Sequence, residues 1–154
     1  MDNQSNPPAQ DDPFGLNRFL EAQAGVYERA LAELKRGRKE SHWMWFIFPQ
    51  IDGLGRSSTA RFYAIKSAKE AKAYLDHPLL GQRLIECSNA LLQSRGKSAS
   101  DIFGFPDDLK LRSSMTLFAS ISGPDSVFSR VIGQYFAGQP DQRTIELLQR
   151  ESPG

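Results

Sequence analysis

The sequence predicts an all-α fold, a single domain of about six to eight short helices. Three observations lead there. Apolar residues recur three and four positions apart along nearly the whole chain, the period of an amphipathic helix. No stretch sustains the every-second-residue alternation of a half-buried strand. Residues that start helices (Ser, Asp) and stop them (Gly, Pro) are spaced about one helix length apart.

Each element follows in order. Residues 1–12 are rich in Asn, Gln, Asp and Pro, have little to bury, and read as a disordered tail. The helical domain spans 13–149, and 150–154 form a short C-terminal tail. Leu16, Phe19, Leu20, Tyr27, Leu31 and Leu34 line one face of a long first helix that Gly37 stops. Trp43–Phe48 is the one strand-like run. A lone strand has no partner, so a short helix or an irregular buried segment is expected there. Ser67 with Glu70 forms a capping box for a helix over 68–76. His77-Pro78 breaks it, because proline lacks an N–H and disfavours a helical residue before it. Pro78 then opens a helix with Leu80, Leu84, Cys87 and Leu91 on one face, ended by Gly96. Asp107 or Asp108 starts another, carrying Leu111, Met115 and Phe118. Asp125 caps a helix with Val127, Phe128, Val131, Ile132, Tyr135 and Phe136 inward, and Asp141 caps a last one running to Leu148.

Composition excludes several function classes. The chain has 154 residues, enough for one domain with a real core. Its formal net charge of +1 gives no strong overall attraction to nucleic acid or anionic membrane, so neither is an expected partner. The balance hides a basic region. Lys35, Arg36, Arg38, Lys39, Arg56, Arg61 and Lys66 face only Glu40 and Asp52 over the same stretch. A single cysteine, Cys87, excludes an intramolecular disulfide and an all-Cys zinc site. His42 and His77 are too far apart in sequence to form a metal-ligand pattern, and no metal or cofactor is expected. No apolar run approaches the ~18–20 residues of a membrane-spanning helix. The N-terminus lacks the apolar core of a signal peptide, which makes the cytoplasm the expected setting.

The stretch from Ser41 to Ser57 is the candidate site. Both tryptophans and one histidine sit in Ser41-His42-Trp43-Met44-Trp45-Phe46-Ile47-Phe48-Pro49-Gln50, with basic residues on either side. Met44, Phe46, Ile47 and Phe48 suit the core. His42, Trp43, Trp45 and Gln50 are expected to present edges to a cleft. Gly53-Leu54-Gly55-Arg56-Ser57-Ser58 fails both the dinucleotide fingerprint, whose third glycine falls at Ser58, and the P-loop, whose Gly-Lys-Ser/Thr ending is missing. A generic anion-binding turn survives, with Gly53, Gly55, Arg56, Ser57 and Arg61. The structural alternative is that the glycines only make the turn and Ser57 only caps a helix.

Other residues read as structural or auxiliary. His77 belongs to a helix junction, and Cys87 lies on an apolar face as a packed thiol. Ser113, Ser114 and Thr116 make the helix after Asp107 more polar than a core helix needs. They either bond back to the backbone, or the turn of Lys110 and Ser113 lines the cleft of His42.

At this point the residues resemble a known family. The carriers are the block from Arg38 to Gln50, Gly53-Leu54-Gly55-Arg56-Ser57, Glu70 to Leu75, His77-Pro78-Leu79-Leu80-Gly81, Asp107 to Phe118 and Asp141 to Leu148. Together they resemble an uncharacterised bacterial family of unknown function, often labelled "calpastatin". The resemblance implies a small all-α fold and no established activity. The label has no physical support, because calpastatin inhibitors are disordered repeats and this chain is patterned for compact helices.

Three functions are open to such a chain. The first is a small-ligand module in which His42, Trp43, Trp45, Gln50 and the Gly53–Ser57 turn, with Arg61, take an anionic or nucleotide-like metabolite. The second is a hydrolase or transferase with His42 as acid or base, assisted by Ser57, Asp52 or Asp101. The third is a non-catalytic interaction protein with a basic surface from Arg36 to Lys39. The first is the expected one; oligomeric state is open.

Overall fold

The computed structural model describes residues 12–151, so 1–11 and 152–154 of the expected tails lie outside the described residues, whereas Arg150 and Glu151, expected in the C-terminal tail, belong to the last helix. Asp12, assigned to the tail by composition, instead caps the first helix: its carboxylate accepts from the N–H groups of Leu16 at 2.7 Å and Asn17 at 2.9 Å. In chain order the helices are α1 (Asn17–Gln23), α2 (Tyr27–Arg36), α3 (Met44–Ile47), α4 (Ser58–Phe62), α5 (Ala68–Asp76), α6 (Leu80–Gln93), α7 (Ala99–Phe103), α8 (Asp107–Ser122), α9 (Val127–Phe136) and α10 (Gln142–Glu151). Among the described residues the sole β pairing is a parallel bridge between Ile51 and Ile65. The fold is all-α, and no described helix is long and apolar enough to cross a membrane.

The long first helix is two helices. Gly25 takes φ +77° between α1 and α2, a left-handed conformation that ends a helix. The apolar period survives the break because Phe19 on α1 and Tyr27, Leu31 and Leu34 on α2 enter the same core. Gly37 stops α2 as expected, with φ +75° and its N–H on the carbonyls of Glu33 and Leu34. Trp43–Phe48 resolves into the short helix α3.

Two caps differ from the sequence pattern. Ser126, not Asp125, caps α9: its hydroxyl accepts the Ser129 N–H. A capping oxygen must sit directly before the first helical residue to reach the third N–H, and Asp125 lies one position too early. Ser67 caps α5 by accepting the Glu70 N–H. The Glu70 carboxylate reaches past the cap to the Lys66 N–H at 2.9 Å and to Arg18 at 2.6 Å. A full capping box occurs instead at Ser98 and Asp101, opening α7.

The core is organised around α8, against which α5, α7, α9 and α10 pack. Leu111 and every residue from Ser113 to Phe118 are buried, so the middle of this helix is covered on all sides. That enclosure explains two of its buried hydroxyls, while Ser114 Oγ has no hydrogen bond among the described residues. Ser113 donates to Leu109 O at 3.2 Å and Thr116 to Arg112 O at 2.8 Å, each closing back on the preceding turn. An aromatic chain from Phe19 to Tyr74, Phe118 and Phe128 crosses the core at centroid distances of 5.0, 5.6 and 5.7 Å.

Candidate functional site

The site stretch is shaped from beneath by a buried acid. Glu33 lies on the apolar face of α2 beside Ala30 and Leu34 and is 2% exposed. Its Oε1 accepts from the N–H groups of Glu40 (2.8 Å) and Ser41 (3.0 Å) and from the Trp43 indole (2.8 Å). The Ser41 hydroxyl donates to Oε2. Burial alone would raise the pKa of this carboxyl. The donors from Ser41, Glu40 and Trp43 overcome that and hold it at about 2. Glu33 therefore pins residues 40–43 to α2. The sequence signal for this role is an acid at a helical position between inward-facing residues.

Glu33 also decides the fate of Trp43. The indole N–H finds its partner inside the protein, so the ring is fully buried against Phe48 and Phe103. Trp43 offers no edge to a ligand, contrary to the sequence expectation. Lys39 closes over it with Nζ 5.0 Å from the ring centroid, while bonding Ser41 O at 2.7 Å and Asp107 at 2.9 Å. Two members of the basic run are thus engaged, Lys39 with Asp107 and Arg36 with Glu40 at 3.2 Å.

Trp45, Gln50 and Gly55 do converge. With Tyr63 and Ala60 they border an opening of about 10 Å³, room for no more than one water. Trp45 and Gln50 are half-buried, and Lys110 Nζ stands 5.3 Å from the Trp45 ring centroid. That contact brings the first turn of α8 to this edge, since Lys110 also pairs with Asp107 at 3.4 Å. Arg56 and Arg61 are exposed and lie next in sequence to its lining residues Gly55 and Ala60. Among the described residues neither guanidinium has an ion pair or hydrogen bond, and the Gln50 side-chain amide has no hydrogen bond.

The turn residues have packing duties. At Gly53, φ is +107°, and a β-carbon would come within 3.2 Å of Leu147 on α10. At Gly55 a β-carbon would fall 2.5 Å from that of Ala60. The Ser57 hydroxyl caps α4 by accepting the Ala60 N–H at 3.0 Å. α4 is only five residues long and contains no buried residue.

His42 is exposed and, among the described residues, has no hydrogen bond or ion pair. Its three suggested assistants are engaged elsewhere. Asp52 lies 3.6 Å from Lys66, Ser57 caps α4, and Asp101 completes the box with Ser98, whose backbone and hydroxyl bonds hold its carboxyl below the usual range. His77 caps α6, its Nδ1 accepting from Leu79 N at 3.1 Å and Leu80 N at 3.2 Å. Cys87 is fully buried; desolvation pushes its thiol up to about 12. Among the described residues no three His, Cys, Asp or Glu side chains gather as a metal site.

The family model described as "Protein of unknown function (DUF1810)" matches residues 13–148. The chain belongs to that family. A crystal structure similar to it is that of the conserved hypothetical protein Rv1873 from Mycobacterium tuberculosis, 52% identical, with 90% of this chain and 99% of that chain covered and a TM-score of 0.88. No curated protein matches the chain. Neither description states an activity, so the reading of function rests on the site.

Proposed function

We propose that the protein is a binding module for a small anionic, phosphate- or carboxylate-bearing metabolite, held on the shelf formed by Trp45, Gln50, Arg56 and Arg61. One observation supports the reading: Arg56 and Arg61, next in sequence to the lining residues Gly55 and Ala60, are exposed with no ion pair among the described residues, and the Gln50 amide at the opening has no hydrogen bond among them. A guanidinium presents its donors as a planar fork that matches phosphate or carboxylate oxygens two at a time. Trp45 supplies a flat apolar surface beside them, and Gln50 supplies one donor pair and one acceptor. The opening is far smaller than a ligand pocket, so the metabolite lies across the shelf rather than inside it. Gly53, Gly55 and Ser57 contribute by shaping the turn that carries Arg56.

The test is thermal unfolding in the presence of inorganic phosphate and a panel of phosphorylated and carboxylated metabolites. Binding to the folded state raises the midpoint with concentration, by about 2.7 kcal/mol of stability at a hundredfold excess over Kd. Added salt weakens the effect, because the paired charges are exposed. The doubly substituted Arg56→Ala/Arg61→Ala protein loses the response. A panel that leaves the midpoint unmoved, or a double variant that responds like the wild type, refutes the reading.

A further inference from the structure

A second concavity lies on a different part of the molecule, where α9 and α10 diverge over α8. It has a volume of about 300 Å³, the lower end of the range for small-molecule sites. Ala119, Ile132 and Ile145 supply apolar wall, and Thr116, Ser120 and Ser129 supply hydroxyls. Among the described residues no charged side chain lines it.

The hydroxyls have a common orientation of function. Thr116 Oγ1 donates to Arg112 O and accepts the Asp141 N–H, each at 2.8 Å, which ties the α9–α10 link to the floor of the groove. Ser120 Oγ donates to Thr116 O at 2.8 Å, and Ser129 Oγ donates to Gly123 O at 3.3 Å. A hydroxyl has one proton and two lone pairs. Each proton here is committed to a backbone carbonyl, and Ser129 Oγ also accepts from Ser126 Oγ at 3.3 Å, so Ser120 has two lone pairs and Ser129 one left for a visitor. The groove is thus an uncharged, acceptor-only surface set in an apolar wall. An anion there meets lone pairs and no cation, and a pure hydrocarbon leaves those acceptors without the water they had.

We propose that this groove binds an uncharged small molecule with an apolar body and an O–H or N–H donor. The site is independent of the Trp45–Arg56 shelf, and either can fail without the other.

Benzyl alcohol, toluene and benzoate serve as probes, followed by amide chemical shifts of the full chain. Benzyl alcohol is expected to move the resonances of Ser120, Ser129 and Ile145 in a saturable way. Toluene and benzoate are expected to bind about two- to tenfold more weakly, the loss that accompanies one neutral hydrogen bond. Ala119→Leu fills the groove and abolishes the shifts. Ser120→Ala, at an exposed position that leaves the fold intact, brings benzyl alcohol down to the level of toluene. The inference is overturned if benzyl alcohol moves none of these resonances, if toluene or benzoate binds as well, or if Ser120→Ala leaves the preference unchanged.

Discussion

Replacing Glu33 by Gln isolates the charge of the buried carboxylate from the hydrogen bonds that surround it. Gln keeps an acceptor for the three N–H donors that meet on Oε1, and the Ser41 hydroxyl can rotate to accept from the new amide. Only the charge-assisted part of the interaction is removed. The carboxyl is held at about 2 against an ordinary 4.5, and each tenfold in proton affinity is roughly 1.4 kcal/mol, so the charge contributes about 3 kcal/mol. Because the folded value is the lower one, this contribution is complete above the unfolded value of 4.5 and is lost as pH falls toward about 2. Urea unfolding of wild type and Glu33→Gln, followed by tryptophan fluorescence, measures the gap across pH. It should be about 3 kcal/mol at neutral pH and close progressively below pH 4.5. A gap that stays constant with pH, or one under about 1 kcal/mol at neutral pH, refutes the argument that Glu33 is held as a charged hub.

Three further outcomes follow from particular contacts. Ser114 Oγ is buried with no hydrogen-bond partner, so Ser114→Ala should be neutral or stabilising by about 1 kcal/mol, read as a higher urea midpoint; a clear loss of stability contradicts this. Gly55→Ala places two β-carbons 2.5 Å apart and should destabilise by about 1–3 kcal/mol, with Ala60→Gly restoring most of it in the double variant. Cys87 is buried with its thiol pushed up to about 12, so it should resist a thiol reagent in the native protein and react fully in denaturant. Rapid native labelling would show that α6 opens or that the thiol lies nearer the surface.

Much of the fold was legible because its signals are local. Gly37 ends α2, Ser67 caps α5, and Asp141 caps α10 by accepting the Thr144 N–H at 2.9 Å, all within a few residues of chain. The misread elements have equally local causes. The single glycine at position 25 broke a helix whose apolar period ran through it, because both halves pack into one core. Asp125 and Ser126 compete for one cap, and a shift of one residue decides it.

For the candidate site, the sequence by itself brought Trp45, Gln50 and Gly55 under suspicion together, along with a buried role for Cys87 and a structural one for His77. It also determined the all-α class, since helical periodicity and caps are properties of neighbouring residues. Only the tertiary structure decided that Trp43 and Trp45 part company. Periodicity reports which side chains share a face but not what covers that face. The cover over Trp43 is Glu33 from α2 and Lys39 bound to Asp107 of α8, residues brought together by packing. The same packing sets Leu147 against Gly53 and opens the groove between α8, α9 and α10, contacts that no local pattern encodes.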